Sequence, residues 1–308
     1  MLTLLHASDL HFGKPYNATA GEAFQRAAQA VAADLIVVSG DFTQRAKVAE
    51  CEAARAWLDR LPDVPVVVTP GNHDVPLYRV FERLFAPYRN YRRWISDELD
   101  SVIRVAGATL VSLNSTAPLR AIVSGRIDRR QLRFAARAFR DAAPADARIL
   151  VAHHHLAPAP DYEGDTALRR TPEVLDALND MEVDLVLGGH VHRGYVASSL
   201  DVCPNTDRGR GIVIVQCGTT TSDRGRAREW ARNSFNVVRI TAERLDVTHY
   251  LYFEDLARFA PSSIHALPRR IGRHFLRDAF EAPTAPRTDE VAEGAGAAER
   301  AVPQDTAR

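Results

Sequence analysis

Apolar runs that stop abruptly at polar residues recur along the chain. Residues 1–7 form one and stop at Ser8-Asp9. Leu35-Ile36-Val37-Val38 stops at Ser39-Gly40-Asp41, and Val64-Pro65-Val66-Val67-Val68 stops at Pro70-Gly71-Asn72. Short, nearly continuous apolar runs of this kind predict strands buried on both faces. Between them, residues 20–33 and 47–60 carry apolar positions at helical spacing. Strand and helix therefore alternate, the pattern of βαβ units. A further helix is predicted around 77–87.

The second half repeats the pattern. Val102–Val105 and Thr109–Leu113 read as strands. Leu132, Phe134, Ala135, Ala138 and Phe139 share one face of a helix over 128–142. Ile149-Leu150-Val151-Ala152 is a buried strand running into three histidines. A helix over 172–180 precedes Leu185-Val186-Leu187 and then Gly188-Gly189-His190. Strands follow at 212–216, 235–240 and 245–252, and the polar stretches 203–210 and 219–232 read as loops. Residues 264–280 suit an amphipathic helix presenting Arg269, Arg270, Arg273 and Arg277 to solvent. From Ala282 onward large apolar residues almost vanish, a composition that cannot offset the entropy of ordering. This divides the chain into a domain over 1–260, a C-terminal amphipathic helix over 261–281 and a disordered tail over 282–308.

With 308 residues, 46% of them apolar and 25% charged, the chain can bury a core without disulfide or zinc staples. Its formal net charge of zero provides no basic footprint for nucleic acid, which is not expected as a partner. Cys51, Cys203 and Cys217 are odd in number and not spaced as CxxC, consistent with a reducing, cytoplasmic setting. The N-terminus lacks the charged n-region and cleavage site of a signal peptide, and no run is long enough for a transmembrane segment. A homodimer is left open.

The chemistry lies at the ends of the apolar runs. Asp9 and His11 follow the first, Asp41 the second, Asn72, His73 and Asp74 the third, His153-His154-His155 the fourth, and His190 and His192 the fifth. Ligand sites in α/β sheets form beyond the carboxyl ends of strands, so five strand ends would gather these groups in one cleft. Carboxylates, imidazoles and an amide oxygen together suit Mn²⁺, Fe²⁺/Fe³⁺ or Zn²⁺ better than Ca²⁺. His6, His249, His265 and His274 stand outside these positions and read as structural or solvent-exposed.

Ser8-Asp9-Leu10-His11, Gly40-Asp41, Gly71-Asn72-His73-Asp74, the histidine cluster and Gly189-His190-Val191-His192 together resemble the DxH, GD, GNHD, late His and GHxH blocks of the calcineurin-like metallophosphoesterases. The resemblance runs from residue 3 to about 250. Gly40–Ala46 with Gly71–Pro76 is similar, more narrowly, to bacterial cyclic-nucleotide phosphodiesterase-like members. It implies an α/β fold of two mixed β-sheets packed as a sandwich flanked by helices, in four αββα layers. It also implies two divalent metal ions. Asp9, His11 and His192 would hold the first, Asn72, His154 and His190 the second, and Asp41 would bridge them through both carboxylate oxygens. The family's late His-x-Pro aligns His154 as the ligand. Leu156 stands at the proline's place, and His153 is the next candidate. Adjacent side chains on an extended segment face opposite ways, so one of the pair binds. His73 would act as general acid, with Asp74 accepting from its other ring nitrogen.

The function implied is hydrolysis of a small phosphate ester by metal-bound hydroxide. A phosphodiester is preferred, cyclic nucleotides included. The alternatives are a nuclease, a nucleotide-lipid pyrophosphatase, a protein phosphatase, and a non-catalytic scaffold. The lipid enzyme would need an apolar or amphipathic lid, for which 264–280 is the sequence candidate.

Overall fold

The structure, a computed structural model, describes residues 1–119, 124–161, 167–203 and 211–269. Its first half runs β1 (Leu2–Ala7), α1 (Ala18–Val31), β2 (Leu35–Val38), α2 (Val48–Leu58), β3 (Val66–Val68), α3 (Val80–Phe85), α4 (Arg89–Trp94), β4 (Ser101–Val105) and β5 (Ala108–Ser112). Its second half runs α5 (Arg129–Arg140), β6 (Ala147–Val151), α6 (Thr171–Asp180), β7 (Leu185–Gly188), β8 (Tyr195–Ser198), α7 (Ser199–Val202), β9 (Val213–Gln216), β10 (Ser234–Ile240), β11 (Arg244–Phe253) and β12 (Arg258–Pro268). No helix among the described residues is long and apolar enough to cross a membrane.

The strands form two six-stranded mixed sheets, in the orders β12-β11-β10-β1-β2-β3 and β4-β5-β6-β7-β9-β8. The apolar runs are continuous because each inner strand is covered on both sides. Leu5, Ala7, Ile36 and Val38 face outward onto Phe24 and Trp57 from α1 and α2. Their neighbours Leu4, Leu35 and Val37 face inward and meet Leu110, Ile149, Leu185 and Leu187 of the second sheet. On the far side Leu150, Val186 and Ile214 pack beneath α5 and α6, with Phe139, Leu175 and Leu178. Three apolar layers between four structural ones make the expected αββα sandwich. α5 begins at Asp128, whose carboxylate accepts from the backbone N–H groups of Arg130 and Gln131.

The C-terminal expectation fails where it can be compared. Residues 258–268 form β12, antiparallel to β11 from Arg244↔Pro268 to Phe253↔Arg258, with one register shift at His249/Tyr250. The boundary at 260 thus falls inside a strand. Helical spacing of apolar residues loses there to a ladder that satisfies one edge of the backbone. Arg269 is not on a solvated helix face. It is buried, 3.6 Å from Asp184 and bonded to the carbonyls of Thr241 and Ala145. The rest of the predicted helix and the predicted tail lie outside the described residues. β8 and α4 were not anticipated either.

Candidate metal centre

Every predicted site residue sits just past the carboxyl end of β1, β2, β3, β6 or β7. The loops after β1 and β2 are zipped by backbone bonds, from Asp9 N–H to the Gly40 carbonyl (3.0 Å), His11 to Asp41 (2.9 Å) and Phe12 to Phe42 (2.9 Å). The backbone turns back so sharply that Asp9, His11, Asp41, His190 and His192 adopt positive φ, between 50° and 74°. They are five of the twelve described non-glycine residues that do so, a conformation costing roughly 1–2 kcal/mol per residue. Backbone strain of this kind concentrates at functional sites. A Cβ on Gly71 would overlap the side chain and backbone of Asp41, so only glycine admits the close approach of the two loops.

Asp9, His11, Asp41 and His192 form one cluster, their ligand atoms all within 4.8 Å of one another and all buried. His192 Nδ1 lies 3.0 Å from the Arg224 carbonyl, a contact only N–H can make, and this turns Nε2 toward the cluster. Nε2 lies 3.1 Å from Asp9 Oδ1 and 3.0 Å from His11 Nε2. Asp9 Oδ1 and Asp41 Oδ2 are buried without a hydrogen-bond donor. Burial alone would raise both acids. The surrounding imidazoles outweigh it, His192 first for Asp9 and His153 first for Asp41, and hold both well below the usual carboxylate range. Burial pushes His11 down to about 3, leaving a neutral ring.

Buried carboxylate oxygens left without a hydrogen-bond donor, with imidazole nitrogens gathered around them, fit a cation. The mixed N/O set suits the first-row divalent ions expected from the sequence.

A second group of donors adjoins the first through Asp41. Asn72 Oδ1 lies 2.9 Å from His190 Nδ1 and 3.1 Å from His153 Nε2. His153 Nε2 is also 3.4 Å from Asp41 Oδ2, and its Nδ1 donates to the Ser39 carbonyl at 2.8 Å. It is His153, rather than His154, whose ring nitrogen reaches Asn72 and Asp41. His154 makes different contacts. Its Nδ1 meets Ser115 Oγ at 2.8 Å, and its ring leans on that of His190 with centroids 4.6 Å apart. The two oxygens of Asp41 have different surroundings. Oδ2 faces both donor groups, whereas Oδ1 accepts the His73 backbone N–H at 2.7 Å. Oδ2 is thus the oxygen that stands between the two donor groups.

His73 is half-buried at the edge of the cluster. Its Nδ1 bonds the Gln44 carbonyl at 2.8 Å, not Asp74. Asp74 instead accepts from the backbone N–H groups of Phe42, Thr43 and Gly71 and from the Thr43 hydroxyl. It pins the loop after β2 to the His73 turn. Burial and the charge of Asp41 push its carboxyl up to about 7, against the pull of those donors.

The loop over 219–232, read from the sequence as a polar, Arg-rich loop with no residue singled out, supplies side chains that the sequence reading did not name. Thr219, Thr220 and Thr221 hold the loop of Asp9 with their hydroxyls. They donate to the carbonyls of Asp9 (2.7 Å) and Leu10 (2.8 Å) and accept from Ser8 N–H (3.0 Å). Arg224 then reaches into the cleft, where Nη1 bonds Gln44 Oε1 at 3.0 Å and His73 Nε2 at 3.2 Å. Three consecutive threonines after a buried strand were the available signal. Beneath His192, Arg193 pairs with buried Glu229 at 3.2 Å, which also holds Gly194 N–H and Ser234 Oγ. A recess of about 290 Å³ opens beside the cluster, lined by Gln44, Arg45, Asn72, His73, Val75, Leu77 and Tyr78.

Residues 2–194 match the model of the calcineurin-like phosphoesterases. A probable cyclic nucleotide phosphodiesterase of Synechococcus sp. is 28% identical over 172 residues, 53% of this chain and 59% of that protein. The match thus spans little more than half of either sequence. Among solved structures, the purple acid phosphatase from yellow lupin seeds superposes with a TM-score of 0.62 at 12% identity, covering 80% of this chain and 51% of that one. A dimetal phosphatase from Danio rerio gives 0.58 at 12% identity, covering 86% of this chain and 98% of the other. At such identities the structural likenesses show a shared fold.

Proposed function

Because the chain belongs to the calcineurin-like phosphoesterase family, we propose that it hydrolyses phosphodiesters at a dinuclear metal site, small diesters such as cyclic nucleotides being the preferred class. Asp9, His11 and His192 would hold one ion, and Asn72, His153 and His190 the other. Asp41 Oδ2 would lie between them. The single observation that carries this reading is that oxygen, buried without a donor and within 3.6 Å of His11 Nε2 and 3.4 Å of His153 Nε2. Two divalent ions bound there supply an activated water and neutralise phosphoryl charge.

The chain's own groups do the rest. Arg224 offers a guanidinium at the cleft edge, where developing phosphoryl charge needs a fixed donor. On substrate binding it exchanges its contact with His73 for a phosphoryl oxygen. His73 Nε2 then faces the leaving oxygen and can hold the proton that oxygen needs, while the Gln44 carbonyl keeps the ring oriented from Nδ1. The recess beside His73 receives the leaving group. The diester preference draws on the Synechococcus relative and on the likeness of the loops at 40–46 and 71–76.

The test is hydrolysis of bis-p-nitrophenyl phosphate and p-nitrophenyl phosphate with Mn²⁺, with and without EDTA. Chelator-sensitive turnover favouring the diester is expected, and Asp41→Asn should remove most of it together with metal retention. Metal-loaded protein inactive on both esters and on cyclic nucleotides would overturn the proposal.

A further inference from the structure

The helix that follows the His73 turn covers no core. α3 contributes no buried residue. Leu77, Tyr78, Val80, Phe81, Leu84 and Phe85 all stand in solvent, the two phenylalanines 80% and 82% exposed. Leu119, 72% exposed, joins them from a loop that Arg83 ties to α3 through the Pro118 carbonyl. These seven are the majority of the twelve large apolar side chains exposed among the described residues, and the other five are scattered through the sequence. Single exposed apolar residues are ordinary, but a contiguous group marks a binding surface.

The charge around this surface is one-sided. Residues 76–94 carry five arginines and one glutamate, a net +4 by subtraction, in a chain whose formal net charge is zero. Arg45 lies over the Tyr78 ring, 4.9 Å from its centroid. Exposed Arg89 stands on the α4 side, 3.8 Å from Glu82. Of the acidic residues after α4, Asp100 is turned toward α5, bonded to the Asn114 N–H and to Gln131 Nε2. A second copy of the chain docking by two-fold symmetry would set these same cations against each other. An anionic bilayer would not. Aromatic and aliphatic side chains bordered by guanidinium groups are the composition that enters the headgroup region and gains from anionic lipid.

We propose that α3 and its flanks are a lipid-docking surface that seats the protein reversibly on anionic bilayers. Phe81 and Phe85 enter the headgroup–acyl boundary, and Arg45 and Arg89 meet lipid phosphates. Leu77 and Tyr78 belong both to this surface and to the wall of the recess beside His73. Docking therefore places the mouth of the cleft at the lipid–water interface. The surface does not depend on which ester the site hydrolyses.

The test is co-sedimentation of the full chain with vesicles of phosphatidylcholine alone and of phosphatidylcholine mixed with phosphatidylglycerol, alongside light scattering for mass. The wild type should partition into the mixed vesicles about tenfold more strongly than into the neutral ones. The double variant Phe81→Ser/Phe85→Ser should lose about tenfold in partitioning into the mixed vesicles, with unchanged melting and mass. Arg89→Gln should weaken binding to the anionic vesicles alone. A wild type that stays in solution with the mixed vesicles would overturn the proposal, as would undiminished binding by the double variant. A mass halved by the double substitution would assign the surface to a second copy and overturn the lipid assignment.

Discussion

Arg224 Nη1 stands 3.2 Å from His73 Nε2, so the guanidinium donates to the ring nitrogen that must carry a proton for His73 to act as an acid. The same residue's carbonyl fixes the tautomer of His192. Side chain and backbone of one loop position thus serve different parts of the centre. Arg224→Ala removes only the first role. It should lower kcat/KM for diesters roughly 10²-fold while metal content stays at the wild-type value, and added guanidinium should restore part of the rate. Unchanged kcat/KM would remove Arg224 from the phosphoryl-binding role.

His153 and His154 can be separated by stoichiometry. His153 Nε2 reaches Asn72 and Asp41, and His154 Nδ1 is held by Ser115. Equilibrium dialysis of His153→Gln should find one tightly held ion fewer per chain than wild type, whereas His154→Gln should retain the wild-type number. The reverse result would restore the assignment made from the sequence.

Asp74 is predicted to act on stability. Four donors converge on its carboxylate. Asp74→Asn sets an amide N–H₂ against donors and should cost about 1–3 kcal/mol in urea unfolding. Activity should fall with it, because the His73 turn loses its anchor. A variant as stable as wild type but altered in its pH–rate profile would instead return Asp74 to a direct role beside His73.

His6 predicts the acid side of the stability curve. It is buried on β1, with Nε2 2.9 Å from Ser39 Oγ, and burial pushes it down to about 3 despite the opposing charge of Asp9. The unfolded chain protonates near 6.5, so between pH 6.5 and about 3 it binds a proton that the folded chain refuses. Stability should therefore fall as pH drops through that window, by about 1.4 kcal/mol per unit from this group. Urea unfolding of wild type and His6→Gln in EDTA should show the wild-type slope exceeding the variant's by about that amount between pH 6 and 5. Parallel slopes would count against the account.

The sandwich was legible because its inner strands are covered on both faces, which leaves continuous runs such as Leu35–Val38 with nothing to mimic them. The gathering of Asp9, His11, Asp41, Asn72, His190 and His192 followed from the same runs, since each ends at its polar residue. The missing parts depend on tertiary register. Alternation says that one of His153 and His154 faces the cleft, but not which. The partner of His73 Nδ1 is a backbone carbonyl, which no side-chain pattern announces. Ile264, 70% exposed, shows why β12 was missed. An outer strand with one solvated face lacks the apolar continuity of β1, and its ladder with β11 decides its conformation.

The positive φ angles at Asp9, His11, Asp41, His190 and His192 bear on stability as well as on binding. Aspartate and histidine tolerate that region better than most residues, yet glycine tolerates it best. At each of these positions the backbone alone would gain from glycine, and only the side chain's work opposes the exchange. A glycine placed at any one of them should therefore relieve backbone strain while removing a candidate ligand, so stability and metal retention should move in opposite directions. Asp9, His11, Asp41, His190 and His192 are thus positions where backbone and side chain make opposite demands, and the side chain's demand is the one met.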